Sequence, residues 1–95
     1  MIKVIEIISA ENFQIVCKFN THEIKTIAVK PLLENQKHLI GIEKLYDNGN
    51  FKKAQIGLVG EIFWSDIITT QHLTSPQVWN YDISPEYAYE IGISI

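Results

Sequence analysis

The pair Ser84-Pro85, with Gly92 seven residues after the proline, limits most tightly what this chain can become. A serine side chain accepts hydrogen bonds from the free N–H groups at a helix start, and proline suits the first helical position because its missing N–H has no partner there. Glu86 lies in the first turn, where a carboxylate meets the positive end of the helix dipole, and Gly92 can take the left-handed conformation that ends a helix. Tyr87 stands where a capping box would place Glu or Gln, so the start rests on Ser84 and Pro85. Such a segment is far shorter than the ~12–15 residues an isolated helix needs in water. Tyr87, Ala88 and Ile91 fall on one face, so the helix must dock on something.

The preceding sequence supplies a sheet. Residues 2–8, Ile-Lys-Val-Ile-Glu-Ile-Ile, are rich in β-branched side chains and apolar on both faces, the pattern of a central strand. Phe13, Ile15, Cys17 and Phe19 then alternate at period two, the cleanest strand in the chain. Asn20-Thr21-His22 separates it from a second β-rich run at residues 23–29, which predicts a hairpin with Asn20 supplying the positive φ. Pro31 removes a ladder donor and ends that strand, and Leu32 and Leu33 open a crossover. Leu39, Ile42, Leu45 and Tyr46 recur at helical spacing and predict a short helix over residues 37–46, weakened by about 1 kcal/mol at Gly41 relative to alanine. Asp47-Asn48-Gly49-Asn50 is a strong turn signal leading into a strand at 51–56, and residues 57–60 predict a second hairpin turn with its return strand at 61–64. Residues 65–78, polar and β-branched with Pro76 near their end, read as an irregular excursion that returns at Trp79. The expected fold is α+β, with residues 1–95 in a single domain. It comprises an antiparallel sheet of about five strands with two hairpins, a short crossover helix, and a short C-terminal helix packed on or beside the sheet.

Composition excludes several classes. The chain is 46% hydrophobic and 20% charged, which is ordinary for a folded globular protein and unlike a disordered one. No apolar run approaches the ~18–20 residues that span a bilayer, and no basic segment followed by an apolar block opens the sequence, so a cytoplasmic protein without a membrane partner is expected. The net charge is −3 and all eight cationic residues are lysines, spread along the chain apart from Lys52-Lys53. Without arginine forks or a concentrated positive field, direct nucleic-acid binding is not expected. Cys17 is the single cysteine, which excludes an internal disulfide, and its strand position makes it a small core residue.

Catalytic templates fail on inventory. Ser84 is a helix cap, and neither a Gly-x-Ser-x-Gly elbow nor a phosphate-binding glycine loop is present. His22, His38 and His72 are scattered, with no spacing that preassembles metal ligands, so neither metal nor cofactor is expected and the chain reads as a non-enzyme. Asp82, Glu86 and Glu90 follow one another at intervals of four, but helix initiation and solvation account for them, and a carboxylate pair also needs a concave pocket. The aromatic group Trp64, Trp79, Tyr81, Tyr87 and Tyr89 is the better binding surface, because amphipathic rings concentrate contact energy. Trp64 is expected in the core and Tyr89 on the exposed helix side. The candidate binding residues are Trp79, Tyr81, Asp82 and Tyr89.

The order of a strand ending at Phe19, a hairpin, Val29-Lys30-Pro31-Leu32-Leu33, a segment from Leu45 to Phe51, a strand ending in Trp64 and then Asp82-Ile83-Ser84-Pro85-Glu86 resembles the bacterial domain of unknown function family 2442 over nearly the whole chain. The resemblance implies a small α+β domain whose C-terminal helix opens on an Asp-x-x-Pro-Glu-like motif, matched by Asp82, Pro85 and Glu86. It implies no activity. Some members are joined to helix-turn-helix domains or encoded beside candidate toxin or antitoxin partners, which points by analogy to regulation. The chain departs from the family at Thr21-His22, where Asp-Gly is usual, at Ala28, often acidic, and at Ala88-Tyr89, commonly Leu-Tyr. Residues 65–78 also separate Trp64 from Asp82, so either Trp64 or Trp79 is the equivalent of the family tryptophan.

The leading expectation is a non-enzymatic protein-interaction or regulatory module, antitoxin-like, that presents a sheet edge or the aromatic C-terminal face to a protein partner. Homodimerisation through Ile93-Ser94-Ile95 is one form of this. The alternative is a small-ligand-binding domain with its site between residues 65–78 and the C-terminal helix. A third and weaker reading is an enzyme built on Asp82 and Glu86.

Overall fold

The computed structural model describes residues 1–70 and 75–95 and has the expected α+β organisation with antiparallel strands. The strands are β1 (Val4–Glu11), β2 (Gln14–Phe19), β3 (Ile24–Ala28), β4 (Gln55–Ile56), β5 (Ile62–Thr70), β6 (Gln77–Ile83) and β7 (Ile93–Ser94). Helices α1 (Lys30–Asn35) and α2 (Asn48–Phe51) and a 3-10 segment (Ile42–Tyr46) connect β3 to β4, and α3 (Pro85–Ile91) follows β6. The strands divide between two sheets, one in the order β1-β2-β3-β7 and the other β4-β5-β6.

Strand β2 follows its alternation: Ile15, Cys17 and Phe19 are completely buried. Its neighbour β1 is an edge strand rather than the central one its composition suggests. The register slips by one residue between Val4 and Glu6 and again between Ile7 and Ser9, so Ile5 and Ile8 are surplus residues that β2 does not match. Two bulges thus produce the two-faced apolar pattern that in a regular strand would signify burial on both sides. Phe13 belongs to the turn instead of the strand: Asn12 and Phe13 both have positive φ, 51° and 63°. This is the geometry of a two-residue hairpin turn, in which a phenylalanine is unusual. Its ring is held edge-on to Tyr46 at 5.3 Å, and the Val29 N–H donates to its carbonyl at 2.8 Å. In the next hairpin the positive φ falls on His22, at 74°, while Asn20 uses its amide to tie down the N-terminal segment at Met1 O and Lys3 N.

The crossover begins earlier than the apolar spacing predicts. Pro31 stands in the first turn of α1, where its missing N–H has no consequence, so it starts a helix as well as ending a strand. No continuous helix runs from residue 37 to 46. Gly41 sits at φ 103°, and a Cβ there would overlap the carbonyl oxygen of Ile67, so helical bonding resumes only in the tight 3-10 segment that buries Ile42 and Leu45. Asp47-Asn48-Gly49-Asn50 becomes a capped single turn: the Asp47 carboxylate accepts the Asn50 N–H at 3.0 Å and Phe51 enters the core. The following strand is therefore shortened to Gln55–Ile56.

Residues 65–70, 77 and 78 do not belong to an irregular excursion. Ser65 to Thr70 continue β5, Gln77 and Val78 open β6, and residues 71–74, which include His72, lie outside the described residues. Polar, β-branched composition suits a strand with one solvated face as well as it suits a loop. Between Trp64 and Ile68 the register shifts because β5 carries a bulge in which Asp66 takes φ 56°, and its N–H donates to the Asn80 side chain at 3.3 Å. Ile67 and Ile68 are both buried beside that bulge.

Helix α3 starts as its sequence requires, with the Tyr87 N–H donating to Ser84 Oγ at 3.2 Å. Its end differs. Gly92 is extended, at φ −67°, and glycine is needed there for space: a Cβ would lie 2.9 Å from Ala88 O and 3.0 Å from the Lys25 side chain. The chain then turns into β7, which pairs Ile93 and Ser94 with Thr26 and Lys25 of its own β3.

Gly41 combines a left-handed backbone with a contact that admits no side chain. Gly41→Ala is expected to lower unfolding free energy by about 3 kcal/mol, read from urea midpoints, whereas Gly49→Ala, with only the Asp47 side chain at 3.1 Å, should change it by less than about 1 kcal/mol.

Candidate functional site

The five candidate aromatics separate into three anchors and two exposed rings. Trp64, the third residue of β5, is buried, packs between Phe51 at 5.4 Å and Tyr81 at 5.9 Å, and donates its indole N–H to Phe51 O at 2.8 Å. Tyr81 alternates inward on β6, is only 5% exposed, and donates its hydroxyl to Gln36 Oε1 just beyond α1. Burial first, then the nearby Asp82 and Tyr87, pushes its phenol up to about 12. A buried phenol with a single partner holds α1 against sheet β4-β5-β6 and offers little to a ligand.

Tyr89 is half-buried instead of exposed. Its ring stands edge-on to Phe19 at 5.2 Å, and the Lys25 ammonium lies 3.7 Å from the ring centroid while donating to Tyr89 O at 2.9 Å. Its hydroxyl donates to Glu23. That hydrogen bond holds the Glu23 carboxyl below its ordinary range and raises the Tyr89 phenol. The docked face of α3 therefore runs through Pro85, Ala88 and Tyr89, and Tyr87 turns outward, 47% exposed. Face assignment fails on so short a helix because the deciding partners, Phe19, Glu23 and Lys25, are more than sixty residues away in sequence.

Trp79 is 53% exposed on β6, its indole N–H donating to Thr70 Oγ1 of β5 at 3.0 Å. Asp82 is exposed and separates two hollows. One, of about 290 Å³, lies between Leu32 and Gln36 on the α1 side and Tyr81, Ile83 and Tyr87 on the other. The second, of about 340 Å³, is bordered by Met1, Val59, Glu61, Pro85 and Glu86. Among the described residues, no three His, Cys, Asp or Glu side chains are grouped to hold a metal ion, and no helix is long and apolar enough to cross a membrane.

The backbone of β6 is the remaining feature of this surface, and one hydrogen bond reveals its orientation. Thr69 N–H donates to Ile40 O at 2.8 Å, on the side of β5 away from β6. In an antiparallel ladder both members of such a pair turn their N–H and C=O away from each other. Thr69 pairs with Val78, so Val78 presents its backbone groups to the free edge, and alternation does the same for Asn80 and Asp82. The Gly57 N–H donation to Glu61 O, also away from β6, agrees with this parity. Sequence could not reveal this edge, because strand order is set by pairings across the whole chain.

Cys17 faces the core, and burial pushes its thiol from 9.0 up to about 11. Folding favours the protonated forms of Cys17 and Tyr81, so their stabilisation is complete below the ordinary pKa and is lost as pH rises through the folded one. Stability is expected to fall between pH 9 and about 11 for Cys17 and between 10.0 and about 12 for Tyr81. Native Cys17 should stay inert to a thiol reagent at pH 8 and react at once in urea. Rapid labelling of the folded chain would contradict its burial.

Compared with known proteins, the chain matches no family model, no curated protein and no solved structure.

Proposed function

We propose that this chain is a non-enzymatic protein-interaction module, regulatory and antitoxin-like in type, whose contact surface is the free edge of β6 flanked by Trp79 and Tyr87. The observation that carries this reading is the seven-residue strand β6, exposed from Gln77 to Asn80, whose outward backbone groups have no partner among the described residues and lie beside two large half-exposed rings. Strand addition draws affinity from main-chain hydrogen bonds and specificity from adjacent side-chain pockets, and the hollow beside Tyr87 is placed to act as such a pocket. The resemblance to family 2442, some members of which neighbour toxin or antitoxin partners, supports a regulatory setting by analogy. Tyr81 and Tyr89 enter this reading as supports for the surface, and Asp82 as its charged border.

Affinity capture from native extract, with the full chain and its Trp79→Ala and Tyr87→Ala variants, tests the proposal. The wild-type chain is expected to retain a protein that both variants lose, while each variant unfolds within about 1 kcal/mol of wild type. An identical captured set from all three would refute the assignment of this surface.

A second reading, a small-ligand site, is favoured by the hollow of about 290 Å³ and moves from residues 65–78 to the gap between β6, α1 and α3. Its volume sits at the lower limit of ligand pockets, about 300 Å³, and it is open to solvent. A metabolite screen is expected to leave the melting temperature unchanged; a saturable rise that Tyr87→Ala abolishes would favour the ligand reading instead.

A further inference from the structure

We propose that a second copy of this chain adds to the β6 edge, the two β6 strands pairing antiparallel about a two-fold axis at Asn80. The inference rests on the interaction role proposed above and names its partner. Proteins blunt sheet edges with bulges, short strands, covering segments, lysine or proline. The other three edges here carry such devices. β1 is bulged twice and its Val4 N–H is taken by Gly60 O at 3.0 Å. β7 and β4 are two residues long, and beyond β4 the edge of β5 is covered where Ile40 O accepts Thr69 N–H. β6 has seven residues, Gln-Val-Trp-Asn-Tyr-Asp-Ile, with neither lysine nor proline among them. The Trp79 ring is held towards β5 by its bond to Thr70, which leaves the edge backbone clear.

The outward groups of Val78, Asn80 and Asp82 recur every second residue, the spacing an antiparallel partner requires. With Asn80 against its own counterpart, Val78 of each copy meets Asp82 of the other, and the N–H and C=O of all three residues find partners. A centre at Trp79 would set Asp82 against Pro76, which lacks an N–H, and a centre at Tyr81 would set Val78 against the helix cap Ser84. Charge favours the same register. Asp82 is the single charged residue of β6, and this pairing sends the two carboxylates to opposite ends, so no like charges face each other. It also carries Trp79 of one copy beside Tyr81 of the other, at the mouth of the hollow that Leu32 and Tyr87 border. The result is one continuous six-stranded sheet.

Sedimentation equilibrium of the full chain from about 1 µM to 1 mM tests this together with amide exchange. The expected result is a concentration-dependent species of twice the 10.9 kDa chain mass, with the Val78 and Asn80 amides better protected at high concentration than at low. Val78→Pro removes an N–H that faces the edge and none that faces β5, so it should keep the circular dichroism spectrum and raise the dissociation constant about tenfold or more. A chain monomeric throughout overturns the proposal, as does a dimer whose Val78 and Asn80 amides exchange at rates independent of concentration. If Val78→Pro fails to fold, the wild-type exchange data decide alone. A monomer that still captures a protein through Trp79 and Tyr87 would refute self-pairing and leave the interaction role standing.

Discussion

The burial of Trp64 is the constraint on which the two-sheet arrangement depends. A buried indole on the middle strand of a three-stranded sheet must satisfy its N–H away from water, and it does so on the carbonyl of Phe51, which ends the single-turn helix α2. Its neighbours then form a chain of rings from one sheet to the other: Tyr81 on β6, Trp64 on β5, Phe51 on α2, and Phe13 in the β1–β2 turn at 6.0 Å from Phe51. Removing such a buried ring typically costs about 3–5 kcal/mol, a large share of the stability of a domain this size. The positive φ of Phe13 fits this picture, since the turn is held in a conformation disfavoured for phenylalanine where its ring meets Tyr46 and Phe51.

A second lock holds the C-terminus. Lys25 is 8% exposed, and it runs its stem past Gly92 to place its ammonium on Tyr89 O in the last turn of α3, where a cation meets the negative end of the helix. This contact delivers residues 93 and 94 to the edge of β3 as β7. The apolar end Ile93-Ser94-Ile95 thus meets its first strand partner within the chain. The open seven-residue edge lies at β6, on the other sheet.

The same physics explains which placements of the candidate residues could be read in advance. Trp79 was legible as a contact candidate because a tryptophan next to a helix-start motif has two plausible fates, and exposure at 53% puts it at the surface. Tyr81 lies on the same strand face two residues further on, yet the Trp64 ring beside it and the reach of Gln36 put it in the core. Tyr87 and Tyr89 exchanged places relative to the expectation, because the docked face of a seven-residue helix is chosen by whatever lies beneath it. Two turns carry too little periodicity to overrule Phe19, Glu23 and Lys25.

By itself the sequence determined the local events whose causes lie within a few residues: the Ser84-Pro85 helix start, the alternation that buries Ile15, Cys17 and Phe19, the turns at 20–22 and 57–60, and with them the α+β class with antiparallel strands. Tertiary structure alone decided what depends on distant partners. The split into two sheets, the edge position of β1, and the reason for glycine at positions 41 and 92 all follow from contacts across the fold. So does the outward turn of Val78, Asn80 and Asp82. Hydrogen-bond parity in a strand is fixed by its neighbour, and the neighbour of β6 took its own parity from a carbonyl at Ile40, nearly thirty residues upstream.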